Sequence, residues 1–287
     1  MRNSGDLARR VVDIKTPRRQ RNEPGCRERN RELELRVAAL QTENTRLHAA
    51  LFDAARVHHR LCAPRLVRHG NFEIASEIFA VNSLPGDFFM INIEKTTGDV
   101  VLALGDICGK GAAAAMWAAY LAGIVGAQAT ASTDPQAIVS GVNSGVCRMS
   151  WAAPLASLFV ARLDQAAGRL DYCNAGHPPS LVMRADGRIE TLSEGGTLLG
   201  VVTETSFDKG RVEMGAGDLL LAYSDGIVES CNGSDEEFGH ERLVEQLRLA
   251  RTGSAEGVLF SVLGAVQDFA APLPLMDDTS LVVVRRS

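Results

Sequence analysis

Between residues 29 and 61 apolar side chains recur at heptad spacing. Leu33, Leu40, Leu47, Ala54 and Leu61 fall seven apart, and Val37, Asn44, Leu51 and His58 stand three residues before the last four. These are the d and a positions of a coiled coil, and a single Asn at an a position, here Asn44, fixes a parallel two-stranded register. Arg29 at g and Glu34 at e can pair between two such chains. The spacing therefore predicts a helix and a homodimer through residues 29–61. The other reading is an amphipathic helix lying on its own domain. Ala54 and His58 make a weak seam, so the coil is expected to loosen as it enters the domain, where it could carry a signal.

From about residue 69 the period shortens to two. Asp87–Glu94 and Asp99–Asp106 read as a hairpin around Lys95-Thr96-Thr97-Gly98. Ser157–Leu163 with Arg169–Asn174 forms a second hairpin. Leu181–Arg184 with Arg188–Leu192 forms a third, around the favoured two-residue turn Asp186-Gly187. Asp218–Ser224 and Ser280–Val284 are apolar strands. Helices are expected at 110–129, 135–150 (Asp134 as N-cap, Pro135 in the first turn), 239–250 and 255–270. Strands in runs with paired long helices indicate an α+β sandwich rather than an alternating parallel sheet. The division expected is a basic, disordered tail over 1–28, a coiled-coil or linker helix over 29–65 and a domain over 66–287.

Composition narrows the class. The 287 residues are 46% hydrophobic and 23% charged, which suits a globular core. Residues 1–32 carry ten Arg/Lys against five Asp/Glu, so their +5 leaves the remainder at −10 of the net −5. An acidic body argues against broad nucleic-acid binding, which needs clustered cations. The six cysteines are scattered without a CxxC pair, as in a reducing cytoplasm. Nothing at the N-terminus reads as a signal peptide. Gly111–Thr133 lacks charge, but its Ala and Gly content favours a core helix over a membrane span.

The candidate chemistry lies in carboxylates. If the first hairpin turns between Thr96 and Thr97, Asp87 and Asp106 face each other across the ladder, where like charges repel. A cation between them removes that repulsion; a solvated pair of turn-end aspartates is the plain alternative. If the strands ending at Asp225 and starting after Asp277 pair antiparallel, those two carboxylates converge as well. Four carboxylates with no His or Cys beside them suit a hard divalent ion, Mg²⁺ or Mn²⁺.

Five ordered blocks carry a family likeness: Pro85-Gly86-Asp87-Phe88-Phe89, Gly105-Asp106-Ile107-Cys108-Gly109-Lys110-Gly111, Asn174-Ala175-Gly176-His177-Pro178-Pro179, Ser224-Asp225-Gly226-Ile227-Val228-Glu229 and Asp277-Asp278-Thr279-Ser280. From about residue 55 onward the chain resembles the SpoIIE/RsbU branch of the PPM (type 2C-like) serine/threonine protein phosphatases. The resemblance implies two packed antiparallel sheets with helices outside both, and two Mn²⁺ or Mg²⁺ ions. It implies ligation by Asp87, Asp106, the Ile107 carbonyl, Asp225 and Asp277, with Asp106 bridging. It implies direct attack of a metal-bridging hydroxide on a phosphoserine or phosphothreonine monoester. The substrate implied is an anti-anti-sigma (STAS-type) regulator in bacterial partner switching. Asp278 is expected to hold the strand start or a ligated water. A non-catalytic dimeric regulator that binds the partner without hydrolysis is the alternative function, and a phosphatase for small phosphomonoesters a third.

Three residues depart from the family pattern: Pro85 for Gly, Met90 for Asp and His59 for Gln. His177 aligns where relatives carry an Asp linked to a third metal, which leaves it either a general acid or a structural loop histidine. Lys110 reads as a solvated helix-start lysine that could meet phosphate, and Glu229 has no derivable role. Cys62-x5-Arg68 has cysteine-phosphatase spacing, but Pro64 lacks the amide such a loop needs.

Overall fold

The computed structural model describes residues 23–61, 66–81, 84–149 and 154–287. Most of the basic tail and Cys62–Arg65 of the rejected cysteine loop therefore lie outside the described residues. The chain divides into two units, 1–50 and 51–287.

In the first unit, residues 23–50 form the greater part of helix α1 (Glu23–Leu61). The helix begins six residues before the expected boundary, so 23–28 belong to it and not to the tail. Pro24 does not block this start, because its missing amide would be an orphan in the first turn anyway. Leu33, Val37, Leu40 and Leu47 are all more than half exposed. The expected seam is thus a helical stripe open to solvent.

In the second unit two six-stranded sheets pack face to face. One sheet has the order β1 (Leu66–His69), β2 (Phe72–Phe79), β12 (Thr279–Arg286), β11 (Leu219–Tyr223), β7 (Ser180–Met183), β8 (Ile189–Leu192). The other runs β10 (Gly210–Glu213), β6 (Arg169–Ala175), β5 (Ala156–Asp164), β4 (Val100–Ile107), β3 (Phe88–Ile93), with the two-residue β9 (Gly195–Gly196) parallel to β6. All other pairings are antiparallel. Even-numbered residues of β4, such as Leu102 and Leu104, join Val282 and Val284 of β12 in the layer between the sheets. Odd-numbered Val101 and Ala103 face α2 (Ala112–Ala131) and α3 (Pro135–Arg148). On the far side, α5 (Gly239–Ala250) and α6 (Ala255–Ala270) cover Leu221 and Val283. This is the expected sandwich with helices on both faces.

Three local expectations change. The loop between β7 and β8 has three residues, not two: Arg184 N donates to Arg188 O at 2.8 Å, and Gly187, at φ 90°, donates to Arg184 O. The Asp218 carboxylate holds the Ala185 amide at 2.9 Å, which steadies this turn closed by a left-handed glycine. α2 starts two residues late because Gly109 and Gly111 adopt φ of 139° and 79°, outside the helical region. Only one face of α2, with Ala118, Leu121 and Val125, is buried; Met116 and Tyr120 on the other are exposed. By length and composition α2 could span a membrane, yet its buried face packs on β3, β4 and α3. Asp134 does precede α3, but its carboxylate takes Lys209 Nζ at 2.8 Å instead of capping an amide.

The last turns of α1 belong to this second unit. Phe52, Ala55, His58 and His59 share a cleft with Ile78, Pro85 and Phe89, beside the loop that leads into β3.

Candidate active site

At one end of the layer between the sheets, the apolar alternation gives way to polar side chains. The register of β3 and β4 pairs Phe88 with Gly105 and Phe89 with Leu104. Continued by one residue, it sets Asp87 opposite Asp106, as the turn symmetry predicted. In the other sheet Tyr223 of β11 pairs with Leu281 of β12, and Ser224 N donates to Ser280 O at 3.0 Å. The strand ends carrying Asp225 and Asp277 are therefore neighbours, in the antiparallel arrangement expected. A β-carbon on Gly226 would collide with the Asp278 carbonyl, so glycine is what lets these two ends close.

Asp87 is 2% exposed and receives a short hydrogen bond from Ser280 Oγ. Burial first, and the Asp106 charge second, push its carboxyl well above the usual range; the Ser280 and Ser224 hydroxyls oppose this. Asp106 is pushed up to about 6 by burial, then by the charge of Asp225, with Asp277 and Asp278 adding to it. Asp225 opens a one-turn helix, α4 (Asp225–Val228), which the sequence reading missed; burial and Asp277 raise its pKa. The Ile107 carbonyl lies 3.6 Å from the position a β-carbon on Gly86 would occupy, and so faces the Asp87 loop.

Asp277 stands at the open edge. Its Oδ2 is 2.6 Å from Lys110 Nζ, which also donates to the Met276 carbonyl at 3.1 Å. Lys110 is thus paired with the cluster rather than freely solvated, a pairing no sequence spacing announces. Glu229 also belongs here: burial, then Asp225, raises its carboxyl, while Lys110 lowers it. Asp278 accepts the Val81 amide at 2.9 Å and the Gly86 amide at 2.8 Å, so it ties down the loop before Asp87. That is a different anchorage from the strand start expected of it.

His177 is 4% exposed, and Nδ1 lies 2.7 Å from Ser157 Oγ. Burial lowers its pKa to about 3, with the Tyr223 carbonyl opposing. Burial thus disfavours the doubly protonated, cationic form that a histidine general acid would use.

The donor set suits a hard cation. Buried carboxylates raised by burial and by a neighbouring carboxylate's charge are relieved when an ion sits among them, and all the donors are oxygens. As placed, however, no three His, Cys, Asp or Glu side chains among the described residues converge tightly enough to enclose an ion. Asp277 is instead turned to Lys110.

Residues 96–287 match the family described as Stage II sporulation protein E (SpoIIE). Over 138 residues the chain is 27% identical to Protein IcfG of Synechocystis sp.; that stretch is 47% of this chain and 21% of the relative, so the chain corresponds to only about a fifth of it. The SiaA-PP2C domain of Pseudomonas aeruginosa superposes with a TM-score of 0.73 at 17% identity, over 85% of this chain and 98% of that one. The RsbU and RsbW domains of Rv1364c from Mycobacterium tuberculosis give 0.67 at 23% identity, over 78% and 62%. These likenesses fix the fold.

Proposed function

The chain belongs to the SpoIIE family, in the SpoIIE/RsbU branch of the PPM-type phosphatases, and from that premise we propose that it hydrolyses phosphoserine or phosphothreonine in a protein, using divalent cations held by Asp87, Asp106, Asp225, Asp277 and the Ile107 carbonyl. The observation that carries this is the opposed pair Asp87 and Asp106, both raised first by burial, Asp87 then by the Asp106 charge and Asp106 by that of Asp225. Two Mn²⁺ or Mg²⁺ ions, when bound, would supply charge neutralisation at the phosphoryl group and an acidified water. The residues do the rest. Asp87 and Asp106 offer carboxylates from one sheet, Asp225 and Asp277 from the other. Ser280 holds the Asp87 carboxylate, and its own amide is held by Ser224 Oγ. Lys110, at the open edge, is the side chain placed to meet a phosphoryl oxygen once Asp277 takes a cation. A STAS-type anti-anti-sigma regulator is the substrate proposed; likeness to an RsbU domain supports it. The exposed a/d stripe of α1 supports a homodimer through residues 29–61.

The Lys110–Asp277 ion pair favours one other reading, a regulator that keeps the fold and binds its partner without hydrolysis. Purified protein should be assayed on an aryl phosphate and on a phosphoserine protein, with chelator, Mn²⁺ or Mg²⁺, beside Asp225→Asn. Activity should vanish with chelator, return with either ion, and fall in the variant by at least about 100-fold, more than losing an outer-shell group costs. Metal-independent activity, or an unimpaired variant, would sink the phosphatase reading. Silence under every condition would favour the regulator.

A further inference from the structure

His177 remains unexplained by its surroundings as a mere filler. Its backbone is held without help from the ring: Asn174 Oδ1 accepts His177 N at 2.7 Å, and Asn174 Nδ2 donates to His177 O at 2.9 Å. Gly176, at φ 67°, makes the bend. The loop thus delivers an imidazole to a buried place where its two edges meet different sheets. One edge meets the Ser157 hydroxyl of β5; the Tyr223 carbonyl at the end of β11 stands beside the ring, just before Ser224 and Asp225.

The partner across from Ser157 is the decisive fact. Ser157 pairs directly with Asp106 in the β4–β5 ladder, and both project into the layer between the sheets. Directly opposed side chains have Cβ atoms about 5 Å apart, which is within a hydroxyl's reach of a carboxylate. A free serine hydroxyl there would donate to Asp106, absorb part of its charge and compete with any cation for its oxygens. The imidazole prevents this. A carbonyl beside the ring calls for a ring N–H on that side, although Nε2 is not in hydrogen-bond geometry with any acceptor among the described residues. In a neutral imidazole the other nitrogen, Nδ1, is then an acceptor. In that tautomer the Ser157 hydroxyl donates to Nδ1, 2.7 Å away, and turns only oxygen lone pairs elsewhere.

We infer that His177 is a positioning residue that accepts the Ser157 hydroxyl hydrogen bond at Nδ1 and so keeps the Asp106 carboxylate free to hold a cation. The inference rests on the reading of Asp106 as a metal-holding carboxylate.

The test is direct Mn²⁺ binding by calorimetry on the full chain, without substrate, with thermal melts to verify folding. Asn places its Oδ1 the same number of bonds from Cα as histidine Nδ1, whereas Gln reaches the Nε2 position and leaves Nδ1 vacant. His177→Asn should bind Mn²⁺ within about threefold of the parent, and His177→Gln should lose the ~10–100-fold typical of an outer-shell group. Adding Ser157→Ala to His177→Gln removes the competing proton and should restore most of that affinity. Equal binding by the Asn and Gln variants, the reverse order, or failure of Ser157→Ala to rescue would overturn the role given to His177. Asp106→Asn is the control for the site itself. If it binds Mn²⁺ like the parent, the site reading falls first and this inference with it.

Discussion

The Asp278 clamp offers the sharpest quantitative test. Its carboxylate accepts the amides of Val81 and Gly86, at 2.9 and 2.8 Å, and so pins the loop that aims Asp87. Asp278→Ala removes both bonds, but the two losses differ. Val81 is exposed, so water can replace the carboxylate at small cost. Gly86 is buried, and an orphaned buried amide costs about 1–3 kcal/mol in addition to the lost charge-assisted bond. Burial and the neighbouring Asp277 raise the Asp278 pKa, so part of that gain is already offset in the native protein. The balance is a loss of about 2–3 kcal/mol. Asp278→Asn keeps one acceptor, which can turn to Gly86, and should lose about half as much. Urea unfolding gives the free energies, and amide exchange at Gly86 reports the loop. A loss below about 0.5 kcal/mol in the alanine variant, with Gly86 still protected, would show that the loop is held by its other contacts.

Two further outcomes follow. The heptad stripe should make the chain dimeric in sedimentation; Asn44→Val should tighten association and admit larger oligomers, while Leu40→Asp should yield monomers. A parent chain that sediments as a monomer would remove the coil. The second concerns pH. His177 has a folded pKa of about 3, below its unfolded value near 6.5, so the unfolded chain binds the extra proton. Its contribution to stability is complete above about pH 6.5 and is lost at up to about 1.4 kcal/mol per unit as pH falls toward 3. Urea midpoints between pH 7 and 5 should therefore fall more steeply for the parent than for His177→Asn; parallel slopes would refute the assignment.

How much of this was legible in the sequence depends on range. Asp87 and Asp106 could be paired because one short turn sets the register of both strands, and register fixes faces. Asp225 and Asp277 could be brought together because their strands are too apolar to lie anywhere but a sheet centre. The resemblance then joined the two pairs, which no local pattern does. Interactions made by side chains of distant segments were invisible: Lys110 with Asp277, Asp278 with the loop at Gly86, His177 with Ser157. The misplaced start of α1 has a simpler cause. Pro24-Gly25 reads as a breaker, yet proline in a first helical turn costs no hydrogen bond.

The order of strands in the first sheet bears on when this protein can act. β12 lies between β2 and β11, with its whole length hydrogen-bonded to a strand some two hundred residues earlier. A nascent chain that has emerged only as far as α6 already carries Asp87, Asp106 and Asp225, but its sheet has a gap through the middle. Ser280, which grips Asp87, and Asp278, which pins the loop before it, have yet to arrive. The long loop that β12 must close makes this a late step in folding. Synthesis therefore delivers Asp277 and the sheet's central strand together, so the hydrolysis proposed above would have to wait until β12 has joined the sheet.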